Sequence, residues 1–237
     1  MRSILIILSI LTLSFSVSAQ DLEQILDAHY KATALDKLEK IESIVTTGEN
    51  IYTKAGIKSS FIKYQARPNK IRVEGEFQGS KVLQTFNGEK GWISAPAMGI
   101  LEPKEMKSDE LETLVNQSDF ENPLWNYKEK GYTLELSGTS EDGSAFHLKL
   151  SMDKNELNFF LDKDSYLVTY IKSIQVIGGS ETEIEIVHED YTNVKGIPLA
   201  QHVITKLNGE EVTSVRIKKV EYNKKLDHSL FEKPSIK

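Results

Sequence analysis

Ala145-Phe146-His147-Leu148-Lys149-Leu150-Ser151-Met152 alternates strictly between oily and wet side chains. Phe146, Leu148, Leu150 and Met152 fall on one side, and His147 and Lys149 on the other. A period of two with one apolar face is the mark of a half-buried strand. The pattern repeats nearby. Tyr132, Leu134 and Leu136 oppose Thr133 and Glu135, Leu157, Phe159 and Leu161 share a face, and Val215 and Ile217 oppose Arg216 and Lys218. Working outward, strand-like runs recur over 42–53, 57–66, 70–77, 80–87 and 90–95. They resume over 132–138, 144–152, 156–162, 166–177, 181–192, 198–207 and 211–222. The turns between them are legible as Asn87-Gly88, Glu141-Asp142-Gly143, Gly178-Gly179 and Asn208-Gly209. Asn-Gly between two strand runs is a strong hairpin signal. The expectation is mainly antiparallel β: a meander of about eleven strands that curls into a half-open barrel with its oily face inside.

Two segments break the alternation. From Asp21 to about Leu38 the apolar residues Leu22, Ile25, Leu26, Tyr30, Leu35 and Leu38 recur at helical spacing, with Asp21 as a cap and an interruption near Thr33. Residues 96–131 form the second. Pro96 to Pro103 reads as a loop carrying Met98, Ile100 and Leu101. Residues 104–117 read as a helix with Leu111, Leu114 and Val115 on one face, and 120–129 add a turn or two. An insertion of this kind in a meander covers the concave face. It either plugs the barrel as ordinary core or closes over a ligand cavity.

Composition narrows the function. The chain has 237 residues, a net charge of −6 and no Cys. No basic face is available for general nucleic-acid binding. Disulfides, thiol catalysis and Cys-based zinc sites are excluded. His29, His147, His188, His202 and His228 never fall at metal-pair spacing, so no metal is expected. No nucleophile elbow or phosphate loop occurs, so no catalytic residue and no cofactor is expected. Glu183 and Glu185 stand opposite Ile184 and Ile186 and read as a solvated strand face. The chain opens on Arg2, an apolar run from Ile4 to Leu13, and then Val17-Ser18-Ala19. That three-part pattern is a secretory signal peptide cut after Ala19. The expectation is a signal over residues 1–19 and a single exported domain over 20–237, monomeric and soluble.

Arginine is scarce after the signal: Arg67, Arg72 and Arg216 only. Arg67-Pro68-Asn69 puts a five-donor fork at a strand end, suited to one specific hydrogen-bonding role. The other reading is a solvated residue before a turn.

Arg67-Pro68-Asn69, followed by Phe86-Asn87-Gly88-Glu89-Lys90-Gly91-Trp92, resembles the periplasmic outer-membrane lipoprotein carriers, the LolA-like lipoprotein-sorting proteins. Tyr191-Thr192-Asn193-Val194-Lys195-Gly196-Ile197-Pro198-Leu199 resembles a segment of their bacteroidete-type relatives. So does the tail Asn223-Lys224-Lys225-Leu226-Asp227 with Phe231 and Pro234. The resemblance implies a half-open barrel with a helical lid, holding the acyl chains of a lipoprotein or lipid. It implies transfer from an inner-membrane transporter toward an outer-membrane acceptor in the periplasm. It places a lid latch at Arg67. On this reading Leu22, Ile25, Leu26, Ile100, Leu111, Leu114 and Val115 belong to the lid. The cavity is expected to be lined by Phe61, Val73, Phe86, Leu134, Leu136, Phe146, Leu148, Leu150, Phe159, Ile184, Ile186 and Ile217. The same architecture also serves periplasmic sensors of lipid or protein, which is the alternative function. The first helix and the 96–131 insertion are longer than the family pattern.

Overall fold

The computed structural model describes residues 16–235, apart from Gln78 and Lys154. The apolar run of the expected signal lies outside these residues, and the expected cut after Ala19 falls inside the first helix. That helix, α1 (Ser16–Ala32), is followed by the single turn α2 (Leu35–Leu38). Between them Ala34 adopts the left-handed conformation at φ 51°, and the Thr33 hydroxyl donates to the His29 carbonyl at 2.9 Å. The interruption therefore falls where the helical periodicity fails.

From Ser43 onward the chain is strand. One side of the sheet is β1 (Ser43–Tyr52), β2 (Ile57–Ala66), β3 (Lys70–Phe77), β4 (Ser80–Phe86), β5 (Gly91–Ala95) and β6 (Ile100–Glu105). The helix α3 (Ser108–Asn116) and a run of turns lead to the other side. That side is β7 (Thr133–Thr139), β8 (Ala145–Met152), β9 (Asn155–Asp162), β10 (Val168–Ile177), β11 (Ser180–Val194), β12 (Ile197–Leu207) and β13 (Glu210–Tyr222). All thirteen form one sheet, ordered β6-β5-β4-β3-β2-β1-β13-β12-β11-β10-β9-β8-β7. The first and last strands pair antiparallel in the middle, Ile44 opposite Tyr222 and Thr46 opposite Val220. The two free edges, β6 and β7, are therefore consecutive in the chain. The segment between them has to cross the open mouth of the curved sheet.

Thirteen strands correct the expected count of about eleven; the twelve runs read from the sequence all form strands. The strand that the sequence concealed is β6, read as loop and then as the start of a helix because of Pro96 and Pro103. An edge strand tolerates Pro103 because one row of its backbone donors has no ladder partner. The expected helix over 104–117 consequently begins only at Ser108.

Two helices cover the two ends of the concave face. Under α1, Ile25 and Leu26 join Leu124, Tyr127, Leu148, Leu150, Phe159, Leu161 and Val168. Under α3, Leu114 joins Ile71, Phe86 and Met106, with Val73, Ile93, Leu111 and Val115 around them. This helix sits so close to β5 that a Cβ at Gly91 would lie 2.5 Å from the Leu111 methyl. A third, smaller cluster of Ala34, Ile41, Ile44 and Ile197 ties the turn after α2 to the central strands. Each fully buried Leu or Phe in these clusters contributes about 2 kcal/mol.

Candidate functional site

Between the two helix-covered ends, a cavity of about 360 Å³ remains over the central strands. The register explains which side chains face it. Thr46 lies opposite Lys63, Ile44 opposite Gln65, and Ile171 opposite Phe159, so these residues share the concave side. Phe159, Val168 and Ile171 form one wall. Ile197, Leu199 and Val203 form the floor, and Ile217, Val220, Tyr222, Ile44, Thr46, Lys63 and Gln65 the opposite wall. The roof is His29 and Tyr30 from α1, Leu35 and Leu38 from α2, and Phe120 and Trp125 from the crossing segment.

The roof is fastened by directional bonds. The Arg67 Nε donates to the Ile41 carbonyl at 2.8 Å, and one terminal nitrogen donates to the Leu38 carbonyl at 3.1 Å. The same guanidinium pairs with the Glu121 carboxylate through both terminal nitrogens, and its carbon lies 4.5 Å from the centre of the Phe120 ring. One arginine thus joins the α2 turn to the crossing segment. A lysine has neither the planar fork nor the stacking face for this.

His29 is the second fastening. Its Nδ1 donates to the Tyr166 carbonyl at 2.8 Å, and its Nε2 accepts from the Asn122 amide at 2.9 Å. Only the neutral ring, protonated on Nδ1, satisfies both partners. Burial pushes its pKa below the ordinary value, partly opposed by the Tyr166 carbonyl. The Tyr30 hydroxyl donates to the Leu124 carbonyl at 2.8 Å, and burial above all pushes its pKa up to about 12. Gln65 donates to the carbonyls of Gln117 at 2.9 Å and Asp119 at 3.3 Å.

Two polar groups on the walls are unlike these. Lys63 is held down in pKa by burial alone. The His188 Nδ1 is buried with no hydrogen-bond partner of good geometry, and burial lowers its pKa despite the Ile186 carbonyl nearby. Among the described residues, no three His, Cys, Asp or Glu side chains converge as a metal site, and no helix is long and apolar enough to cross a membrane.

The expected cavity residues divide. Phe159 and Ile217 line the cavity. Leu148 and Leu150 are wholly buried under α1, with Leu134, Leu136 and Phe146 packed against them, because α1 occupies that end of the face. Phe86 is core under α3. Phe61 and Val73 lie on the same face but line a separate groove of about 340 Å³ with Tyr52, Val82 and Met98. Ile186 faces inward opposite Ile171, and Ile184 follows it two residues along β11, both outside the cavity walls. Among the expected lid residues, Ile25 and Leu26 are core, with Leu22 packed against them. Leu111, Leu114 and Val115 cover the α3 end. Ile100 stands on the edge strand β6.

The roof residues Phe120, Glu121 and His29 were missed. Their signal was available: His29 falls on the Ile25–Leu26 side of α1, and Phe120-Glu121 opens the expected turns. Lys63 was missed too, although alternation from Phe61 places it inward.

No family model matches the sequence. Nor does any curated protein match it. The structure, however, is similar to solved ones. A DUF1329 family protein from Desulfovibrio piger superposes with a TM-score of 0.60 at 13% identity, over 88% of this chain and 97% of that one. An outer membrane lipoprotein-sorting protein domain from Vibrio parahaemolyticus superposes at 0.58 with 13% identity, over 91% and 96%. A LolA superfamily protein from Nitrosomonas europaea superposes at 0.59 with 14% identity, over 92% and 99%. The chain therefore has a LolA-like fold: an open, curved antiparallel sheet with helices on its concave side.

Proposed function

We propose that this protein is an exported, non-catalytic carrier of acyl chains. It holds the hydrocarbon of a lipoprotein or lipid between sheet and roof. It takes its cargo from an inner-membrane transporter and passes it toward an outer-membrane acceptor. The observation that carries this reading is the roofed, mostly apolar cavity of about 360 Å³ in the middle of the concave face. The LolA-like fold supports it, as does the signal-like N-terminal sequence. Each buried CH₂ contributes about 0.8 kcal/mol, so a single chain in this space is held reversibly, as a carrier requires. Arg67 is the latch of this reading: its bonds to Leu38, Ile41 and Glu121 must break for the roof to lift.

Native mass spectrometry of the protein purified from a periplasm, with lipid extraction, tests the reading. Acylated peptide or lipid co-purifying near one to one is the expected result. A clean apo mass with no uptake of a fluorescent acyl probe would overturn it and favour a sensor that meets its partner on the outer surface.

A further inference from the structure

The cavity wall carries a lysine, Lys63, with no counter-ion among the described residues. Phe61, Lys63 and Gln65 share the inward side of β2. Lys63 has Thr46 beside it on β1 and Val73 on β3, and neither is an anion. Among the described residues, no hydrogen bond or ion pair holds its ammonium. The carboxylates at the cavity rim are already engaged, Glu121 by Arg67 and Asp119 by Lys130 at 3.8 Å. Gln65 spends its amide on two backbone carbonyls. On the far side of the cavity, four strands along the sheet, His188 leaves its Nδ1 unpartnered.

An ammonium partly withdrawn from water without a partner is unfavourable. A cavity that held only hydrocarbon would be better served by Leu or Met at this position. The unmatched charge has a use if the counter-ion arrives with the ligand. We propose that Lys63 anchors the head of a single-chain amphiphile: an acyl chain ending in an anion, a carboxylate or a phosphate monoester. The anion sits on the Lys63 ammonium, and the chain lies against Ile44, Ile171, Ile197 and Val203. This deepens the acyl-carrier reading above and rests on it. The volume agrees with one chain, since about 360 Å³ is little more than twice the roughly 150 Å³ that houses a benzene ring.

The purified protein is titrated with palmitate, palmitoyl lysophosphatidate and palmityl alcohol, each below its micelle concentration. Lys63→Met and Lys63→Arg are titrated in parallel. The wild type is expected to bind at least one anion about tenfold or more tighter than the alcohol. Lys63→Met should erase that advantage, while Lys63→Arg keeps it. The tighter of the two anions identifies the head group. Equal affinity for all three in the wild type, or a preference that survives in Lys63→Met, overturns the anchor and leaves the carrier standing. Binding of none of the three overturns the carrier reading and the anchor with it.

Discussion

Beneath α1, Leu148, Leu150 and Leu161 are completely buried. Further along the same concave face, Lys63, Thr46 and His188 stand around open space. Both regions are built from strands of the same sheet with the same alternation, and both present inward side chains at every second position. They differ in their cover. α1 presses Ile25 and Leu26 directly into β8 and β9. Over β1, β2 and β11–β13, the roof is a bridge of short segments held at its ends by Arg67 and His29. Cover, more than strand pattern, decides whether an inward face becomes core or cavity.

Substitutions can break that comparison. Leu148→Ala should have the largest effect, destabilising by about 3 kcal/mol through lost burial and a residual void. Chemical denaturation measures this, and a loss below about 1 kcal/mol would mean the α1 end is loosely packed. Arg67→Leu should cost about 2 kcal/mol, because Glu121 and two carbonyls lose a charged donor. It should also speed release of a bound acyl probe, whereas Leu148→Ala should not. Equal release rates in the two variants would place the latch elsewhere.

Lys63→Met should move stability the other way, raising it by about 1 kcal/mol in the unliganded protein, because an unpaired, partly buried cation is removed. A destabilised Lys63→Met would mean that the ammonium is satisfied in the free protein. The smallest effect concerns His29. Its folded pKa lies below the ordinary 6.5, so the unfolded chain binds the proton more readily. The contribution of this ring is complete above about pH 6.5 and is lost as pH falls from there toward the folded value. Unfolding midpoints of wild type and His29→Gln should converge as the pH is lowered, and parallel curves would contradict this.

Much of the fold was legible. Alternation at 145–152 and its repeats, with Asn87-Gly88 and Asn208-Gly209, marked out twelve of the strands and their antiparallel order. The interruption of the first helix near Thr33 was also readable. β6 was hidden because Pro103 suppresses a strand reading, and only its place at an edge makes proline tolerable there. The site was less legible. Periodicity distinguishes inside from outside, yet it cannot say which inside positions a helix will cover. Leu148 and Phe86 therefore looked like cavity and proved to be core. Lys63 was passed over because charged residues on strands ordinarily face water.

The sheet never closes, and that leaves two raw edges. A bare strand edge is a template on which further chains can add, the first step toward a fibre. Each edge here is spoiled for that purpose. β6 is six residues long, contains Pro103 and presents Glu102, Lys104 and Glu105. Its register against β5 slips between Ile93 and Ala95. On β7 the register slips between Leu136 and Gly138, where glycine adopts φ 125°. A sheet that stays unsealed must deny its edges to copies of itself, and the irregular rims of β6 and β7 do so by refusing a straight partner.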